Sequence, residues 1–135
     1  MSVEGNIVLA VGVPGADSNQ GAVGLFAGSS LDNLTSSWVI TPNLLNDGDF
    51  FGMKVVLAGG LLAVSATGRS ARKGSVFVFD AESSKNLVAE YTHTLPSSGD
   101  LFSSGLDLTG DGNMIVGVGG DESGEGSGIL FNIVS

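Results

Sequence analysis

The sequence predicts an all-β fold, built from antiparallel four-stranded blades of a β-propeller, about two and a half of them. Three observations lead to this prediction: apolar segments recur in one order at one spacing, each recurring unit holds about four short apolar runs, and glycine or polar residues separate the runs. Short runs rich in Val, Leu, Ile and Phe with turn residues at both ends are typical of β-strands. A repeat of roughly 50 residues with four such strands is typical of a propeller blade.

The repeat is clearest in a central apolar segment that occurs three times. LAVGVPG begins at Leu9, LAVSATG at Leu62 and MIVGVGG at Met114, so the spacings are 53 and 52 residues. A polar loop and a second apolar run follow each copy, and the second runs end at Phe26, Phe79 and Phe131. Matching segments in one order at one period indicate internal duplication, with each unit stacking on its neighbour.

The strands of one unit are predicted to form an antiparallel meander. Two apolar runs flank Gly59-Gly60, which favours a tight hairpin, and Asp111-Gly112 repeats this pattern in the third unit. The best helical candidate is Ala81–Tyr91, whose apolar spacing suits a hairpin loop leading into a strand equally well. We count about ten strands in total.

The chain is predicted to be one repeat domain, 1–135, with a partial blade at 1–48, a blade at 49–99 and a partial blade at 100–135. An open set of blades leaves apolar faces and unpaired strand edges at both ends. We therefore expect either continuation into further blades of a longer chain or association of copies into a homo-oligomer that completes the ring.

Composition and charge argue against several functional classes. The net charge of −9, from 14 acidic and 5 basic side chains, opposes binding to nucleic acid or to anionic lipid. The chain has no cysteine, so it has no disulfide and no thiolate metal site. It lacks an apolar window of about 18 residues, and we expect no direct membrane insertion. The first residues do not have the pattern of a signal peptide, so any such signal would lie outside this sequence.

Several motifs resemble a known repeat family. Phe51-Gly52 precedes a strand, VGVPG spans Val11–Gly15, and GAVGLF and GSVFVF end the paired strands. In this order they resemble the FG-GAP repeat of the integrin alpha-subunit propeller and its microbial relatives, in which Trp is also frequent on the outer strand, as at Trp38. The resemblance covers nearly the whole chain, although SAT and GVG replace Gly-Ala-Pro in the second and third units and Phe102-Ser103 replaces Phe-Gly.

The resemblance implies a non-catalytic binding or adhesion module of a cell-surface or secreted protein, and therefore an extracellular or cell-surface location. Its rigid scaffold would present variable loops to a protein or glycan ligand. Two alternatives stay open at this point: a propeller segment of a larger secreted carbohydrate- or lipid-active enzyme, and a purely structural repeat that self-assembles. No catalytic residue is predicted, since nothing places a nucleophile near the single histidine, His93.

A calcium loop is predicted at DLTGDGN, because oxygen-bearing side chains alternate there and FG-GAP blades carry calcium loops at the same hairpin. The candidate ligands are Asp107, Thr109, Asp111 and Asn113. The family's loop has a further acidic ligand after the glycine, and this sequence has none. The alternative is an ordinary Asp-Gly hairpin turn.

The loops between the paired central strands are the predicted partner-binding residues, because equivalent loops lie on one face of a propeller and these differ in charge. Their charged residues are Asp17 in the first unit, Arg69, Arg72 and Lys73 in the second, and Asp121, Glu122 and Glu125 in the third. The alternative is that they are solvated and form weak ion pairs, some of them between blades.

Overall fold

The computed structural model describes residues 2–3, 6–43, 45–82, 84–92, 102–118 and 127–133, which form three antiparallel sheets. The all-β prediction is confirmed. The first eight strands are β1 (Ser2–Val3), β2 (Asn6–Val13), β3 (Ala22–Ser30), β4 (Asn33–Ile40), β5 (Phe51–Ala58), β6 (Leu61–Ala66), β7 (Ser75–Asp80) and β8 (Leu87–Tyr91). The other strands are β9 (Phe102–Leu108), β10 (Asn113–Val118) and β11 (Ser127–Asn132), and two helical turns are α1 (Ala16–Asn19) and α2 (Arg69–Arg72).

Each sheet is a meander of consecutive strands. Sheet I has the order β1-β2-β3-β4, sheet II has β5-β6-β7-β8, and sheet III has β9-β10-β11. The described residues thus contain eleven strands, close to the number of about ten that the sequence predicts. The first of them is the short β1, where Val3 pairs with Asn6 of β2.

The repeat spacings correspond to the same ladder position in all three sheets. Leu9 pairs with Phe26 in sheet I, Leu62 pairs with Phe79 in sheet II, and Met114 pairs with Phe131 in sheet III. Because a slip of one residue would turn every side chain to the opposite face, the duplicated sequence gives each sheet the same facing pattern.

The core has two layers, one on each side of sheet II. Val8, Val23 and Leu25 of sheet I lie with Leu62, Val64, Phe77 and Phe79 of sheet II in the first layer. Ala63, Val76 and Val78 on the other face of sheet II lie with Leu108, Met114 and Val116 of sheet III in the second. Sheet II is therefore covered on both faces, which is why its central strand is apolar at nearly every position.

Glycines permit the sheets to approach closely at two places. A Cβ atom on Gly12 would lie 1.9 Å from the carbonyl oxygen of Gly52, between sheets I and II. One on Gly59 would lie 2.2 Å from the carbonyl oxygen of Gly110, between the turns of sheets II and III. Backbones touch at both points, so a larger residue would force the sheets apart.

Two local predictions can be compared with the structure. The Gly59-Gly60 hairpin is confirmed: Ala58 pairs with Leu61, and both glycines have positive φ, +56° and +79°, as a primed hairpin turn requires. For Ala81–Tyr91 the strand alternative is correct and the helical one is wrong, since β8 occupies its second half. The pairing of β8 with β7 explains this outcome, because edge pairing overrides a weak helical propensity.

Candidate functional site

The loops after β2 and β6 have similar backbone conformations at several equivalent positions, 53 residues apart. Each begins at a glycine with similar dihedrals (Gly15 φ −84°, Gly68 φ −88°) and continues into a short helical turn, which the sequence analysis did not foresee, although Asp17 and Ser18 of the first turn have non-helical dihedrals. Asp17 and Ser70 occupy the same left-handed position, with φ of 51° and 55°. Asn19 and Arg72 occupy a second one, with φ of 64° and 68°. The scaffold is therefore repeated while the side chains on it differ.

The segment Asn46–Phe51 holds the two loops side by side. The backbone N–H of Phe50 donates to the carbonyl of Asn19 in the first loop, over 2.9 Å. The N–H of Gly68 in the second loop donates to the carbonyl of Asp49, over 3.0 Å. Both loops consequently lie at the same end of sheets I and II, as the sequence analysis expected of equivalent loops.

Arg69 turns away from the loop surface and into an ion-pair cluster. Its Nη1 donates to Asp49 Oδ2 and its Nε donates to Glu90 Oε2, both over 2.8 Å. The guanidinium also lies 5.2 Å from the centre of the Phe77 ring. Burial opposes the charge, yet the hydrogen bonds to Glu90 and Asp49 raise the pKa of Arg69 above its ordinary value. Arg69 therefore acts within its own sheet, in a partly buried ion pair that is neither fully solvated nor between blades.

Asp49 is the residue of this cluster that sequence reasoning missed. It is buried, and its Oδ2 also accepts the backbone N–H of Asn46 over 2.9 Å. A carboxylate buried beside the core is stable only when it is paired and hydrogen-bonded, and Arg69 and Asn46 supply both. A signal was present in the sequence, because an acidic residue opens both DFFGMKVVL and DLFSSGLDL, at Asp49 and Asp100. Asp100 lies outside the described residues.

A groove of about 460 Å³ opens beside this cluster, between β4 of sheet I and the β7–β8 side of sheet II. Trp38 stands on the outer strand β4, where the sequence analysis placed it, and the Lys85 Nζ lies 4.4 Å from its ring centre. The polar and aromatic side chains of the groove include Trp38, Asn43, Arg69, Lys85, Asn86 and Glu90. A groove that combines an aromatic ring with charged and amide groups suits a polar ligand.

The predicted calcium ligands lie on the β9–β10 hairpin and hydrogen-bond to one another. The Asp111 carboxylate accepts from the Thr109 hydroxyl and from the Asn113 amide, and these contacts lower the pKa of Asp111. Asp107 Oδ1 accepts the N–H of Leu108 over 2.9 Å. Within the described ranges, no group of three or more His, Cys, Asp or Glu side chains is placed to hold a metal. The geometry fits a turn whose polar side chains hydrogen-bond to one another better than it fits a cation site, and calcium binding stays a prediction.

The remaining predicted residues divide into exposed and undescribed ones. Asp17 and Arg72 are exposed and Lys73 is half-buried at the loop end of the molecule. Asp121, Glu122, Glu125 and His93 lie outside the described residues. In the part of the chain that the structure describes, no helix has the length and apolar character needed to cross a membrane.

Comparison with known proteins adds no further assignment. No family model, no curated protein and no solved structure matches this chain. The resemblance to the FG-GAP repeat therefore stays a prediction that rests on the motifs in the sequence.

Proposed function

We propose that the chain is a non-catalytic binding module whose three stacked sheets are blades of an FG-GAP-like β-propeller. The single observation that carries the proposal is the pair of loops after β2 and β6. They match in backbone conformation at several equivalent positions on one end of the stack while changing charge, from Asp17 to Arg72 and Lys73. A constant scaffold with variable exposed loops is the arrangement that binding proteins use to present a recognition surface.

The proposed ligand is a protein or glycan with both polar and charged groups. Asp17 supplies a negative charge and Arg72 a positive one on neighbouring loops, so the surface favours a ligand of mixed charge. A nucleic acid is not proposed, because the chain carries a net charge of −9. The proposed extracellular or cell-surface location rests on the family resemblance.

Array binding with matched variants tests this function. The purified chain is expected to bind a defined member of a glycan or protein array, and Asp17→Ala and Arg72→Ala are each expected to weaken that binding by roughly tenfold. Asp32→Ala is the control, since it removes one exposed charge from the β3–β4 turn at the opposite end of sheet I. Binding that is lost equally in all three variants, or in none, would contradict the role of the loops.

The calcium prediction from the sequence has its own measurement. Calcium at about 10 mM, roughly tenfold above the dissociation constant of weak extracellular sites, is expected to stabilise the wild-type chain by about 1.4 kcal/mol. Asp111→Ala should lose this stabilisation and Asp32→Ala should keep it, as read from thermal unfolding with magnesium as the reference ion. An identical midpoint with calcium and with magnesium in the wild type would end the calcium prediction.

A further inference from the structure

The two outer sheets of the stack each leave one apolar face open. On sheet I this open face carries Leu9, Val11 and Val13 of β2, together with their cross-strand neighbours Phe26 and Val39. On sheet III the open face carries Ile115 of β10 and its partner Leu130 of β11. Contiguous exposed apolar side chains of this kind mark an interaction surface.

The internal repeat identifies what covers these positions elsewhere in the same molecule. Val11 is 45 % exposed, whereas its repeat equivalents Val64 and Val116 are 0 % exposed because sheets I and II, respectively, cover them. Leu130 is 71 % exposed, whereas its equivalents Leu25 and Val78 are 0 % exposed beneath sheets II and III. Each open face is thus equivalent to one side of the contact between sheets that occurs twice within the chain, between sheets I and II and between sheets II and III.

We infer that the open face of sheet I binds the open face of sheet III of a second copy of this chain, by the same packing that joins sheets I and II. This inference rests on the proposed propeller arrangement. The described residues form three sheets, so two copies supply six of them, which lies within the roughly 4–8 blades of closed propellers, whereas three copies supply nine. The predicted assembly is therefore a dimer that closes through two identical sheet I to sheet III junctions.

The chemistry of the two faces fits this occupant with one exception. Among the described residues, the open face of sheet I, defined by Leu9, Val11, Val13, Phe26 and Val39, carries no charged side chain. The open face of sheet III carries Asp107, which pairs with Ile115 at the position where Val56 pairs with Ala63 in sheet II. A carboxylate facing an apolar surface opposes docking, so the dimer is predicted to be weak and Asp107→Val is predicted to tighten it.

Sedimentation of the 135-residue chain over a range of concentrations tests the inference. The wild type is expected to shift from 13.5 kDa to twice that mass as the concentration rises. Val11→Glu and Leu130→Glu, at two exposed positions on opposite ends of the stack, should each raise the dissociation constant by at least about 100-fold. Leu31→Glu, at an exposed leucine in the β3–β4 turn, is the control and should leave it unchanged. Asp107→Val should lower it by about tenfold.

A mixing experiment identifies which faces meet. The Val11→Glu chain keeps its sheet III face and the Leu130→Glu chain keeps its sheet I face, so an equimolar mixture should form a heterodimer through one intact junction. A dimer that loses association only with Val11→Glu would join two copies of sheet I and would overturn the inference. So would a wild-type chain that is folded by circular dichroism but monomeric at every soluble concentration, and that second result would leave loop-dependent ligand binding intact.

Discussion

Replacing Phe51 with alanine is expected to lower the free energy of unfolding by about 3–5 kcal/mol, the usual range for a buried phenylalanine. Phe51 is fully buried and contacts two rings of the same core layer edge-on, with centroid distances of 5.4 Å to Phe77 and 5.9 Å to Phe79. It also bridges to Gly21 of the first loop. The substitution therefore opens a cavity where sheet I meets sheet II. Since a domain of this size has a total stability of roughly 5–15 kcal/mol, the variant should be close to unfolding.

Urea unfolding followed by circular dichroism measures this loss. The matched control is Met53→Ala in the same strand, because Met53 is exposed and its truncation should change the free energy by less than about 1 kcal/mol. Equal losses for Phe51→Ala and Met53→Ala would contradict the packing of sheet I on sheet II described above.

Arg69→Met is expected to destabilise the chain by about 3 kcal/mol, because removing one partner of a buried ion pair leaves the other charge uncompensated. The uncompensated group is the Asp49 carboxylate, whose side chain is 4 % exposed. In the variant this carboxylate would lose the hydrogen bond from Arg69 and would still accept the one from the backbone N–H of Asn46. The loss is placed at the lower end of the range for buried pairs because Arg69 and Glu90 retain some contact with water.

Arg72→Met is the matched control for this prediction, since it removes the same charge from the same loop at an exposed position. It should change the free energy of unfolding by less than about 0.5 kcal/mol. The double variant Arg69→Met with Asp49→Asn should lose less free energy of unfolding than the two single variants lose together, because the two side chains are in contact. Additive losses would mean that Arg69 and Asp49 do not form the ion pair.

Much of the fold could be predicted from the sequence because the duplication repeats at fixed ladder positions. The Leu9 and Leu62 segments differ in their loops but keep the apolar positions that a stacked sheet requires, so the strands, the tight hairpin and the meander order follow from the pattern.

The candidate site was less predictable, because its contacts join residues that are distant in the sequence. Arg69 could be recognised as a loop cation, but only the fold brings it to Asp49 and Glu90, twenty and twenty-one residues away along the chain. The helical turns α1 and α2 were missed for a different reason. They include left-handed backbone at Asp17, Asn19, Ser70 and Arg72, a conformation that is uncommon for residues other than glycine.

The central claim is that three repeat-equivalent sheets stack face to face, and proton NMR tests it most directly at the glycines where the sheets touch. The account predicts nuclear Overhauser contacts between the α-protons of Gly12 and Gly52, across sheets I and II, and between those of Gly59 and Gly110, across sheets II and III. Assigned spectra that show the strand pairings within each sheet but neither of these two contacts would contradict it.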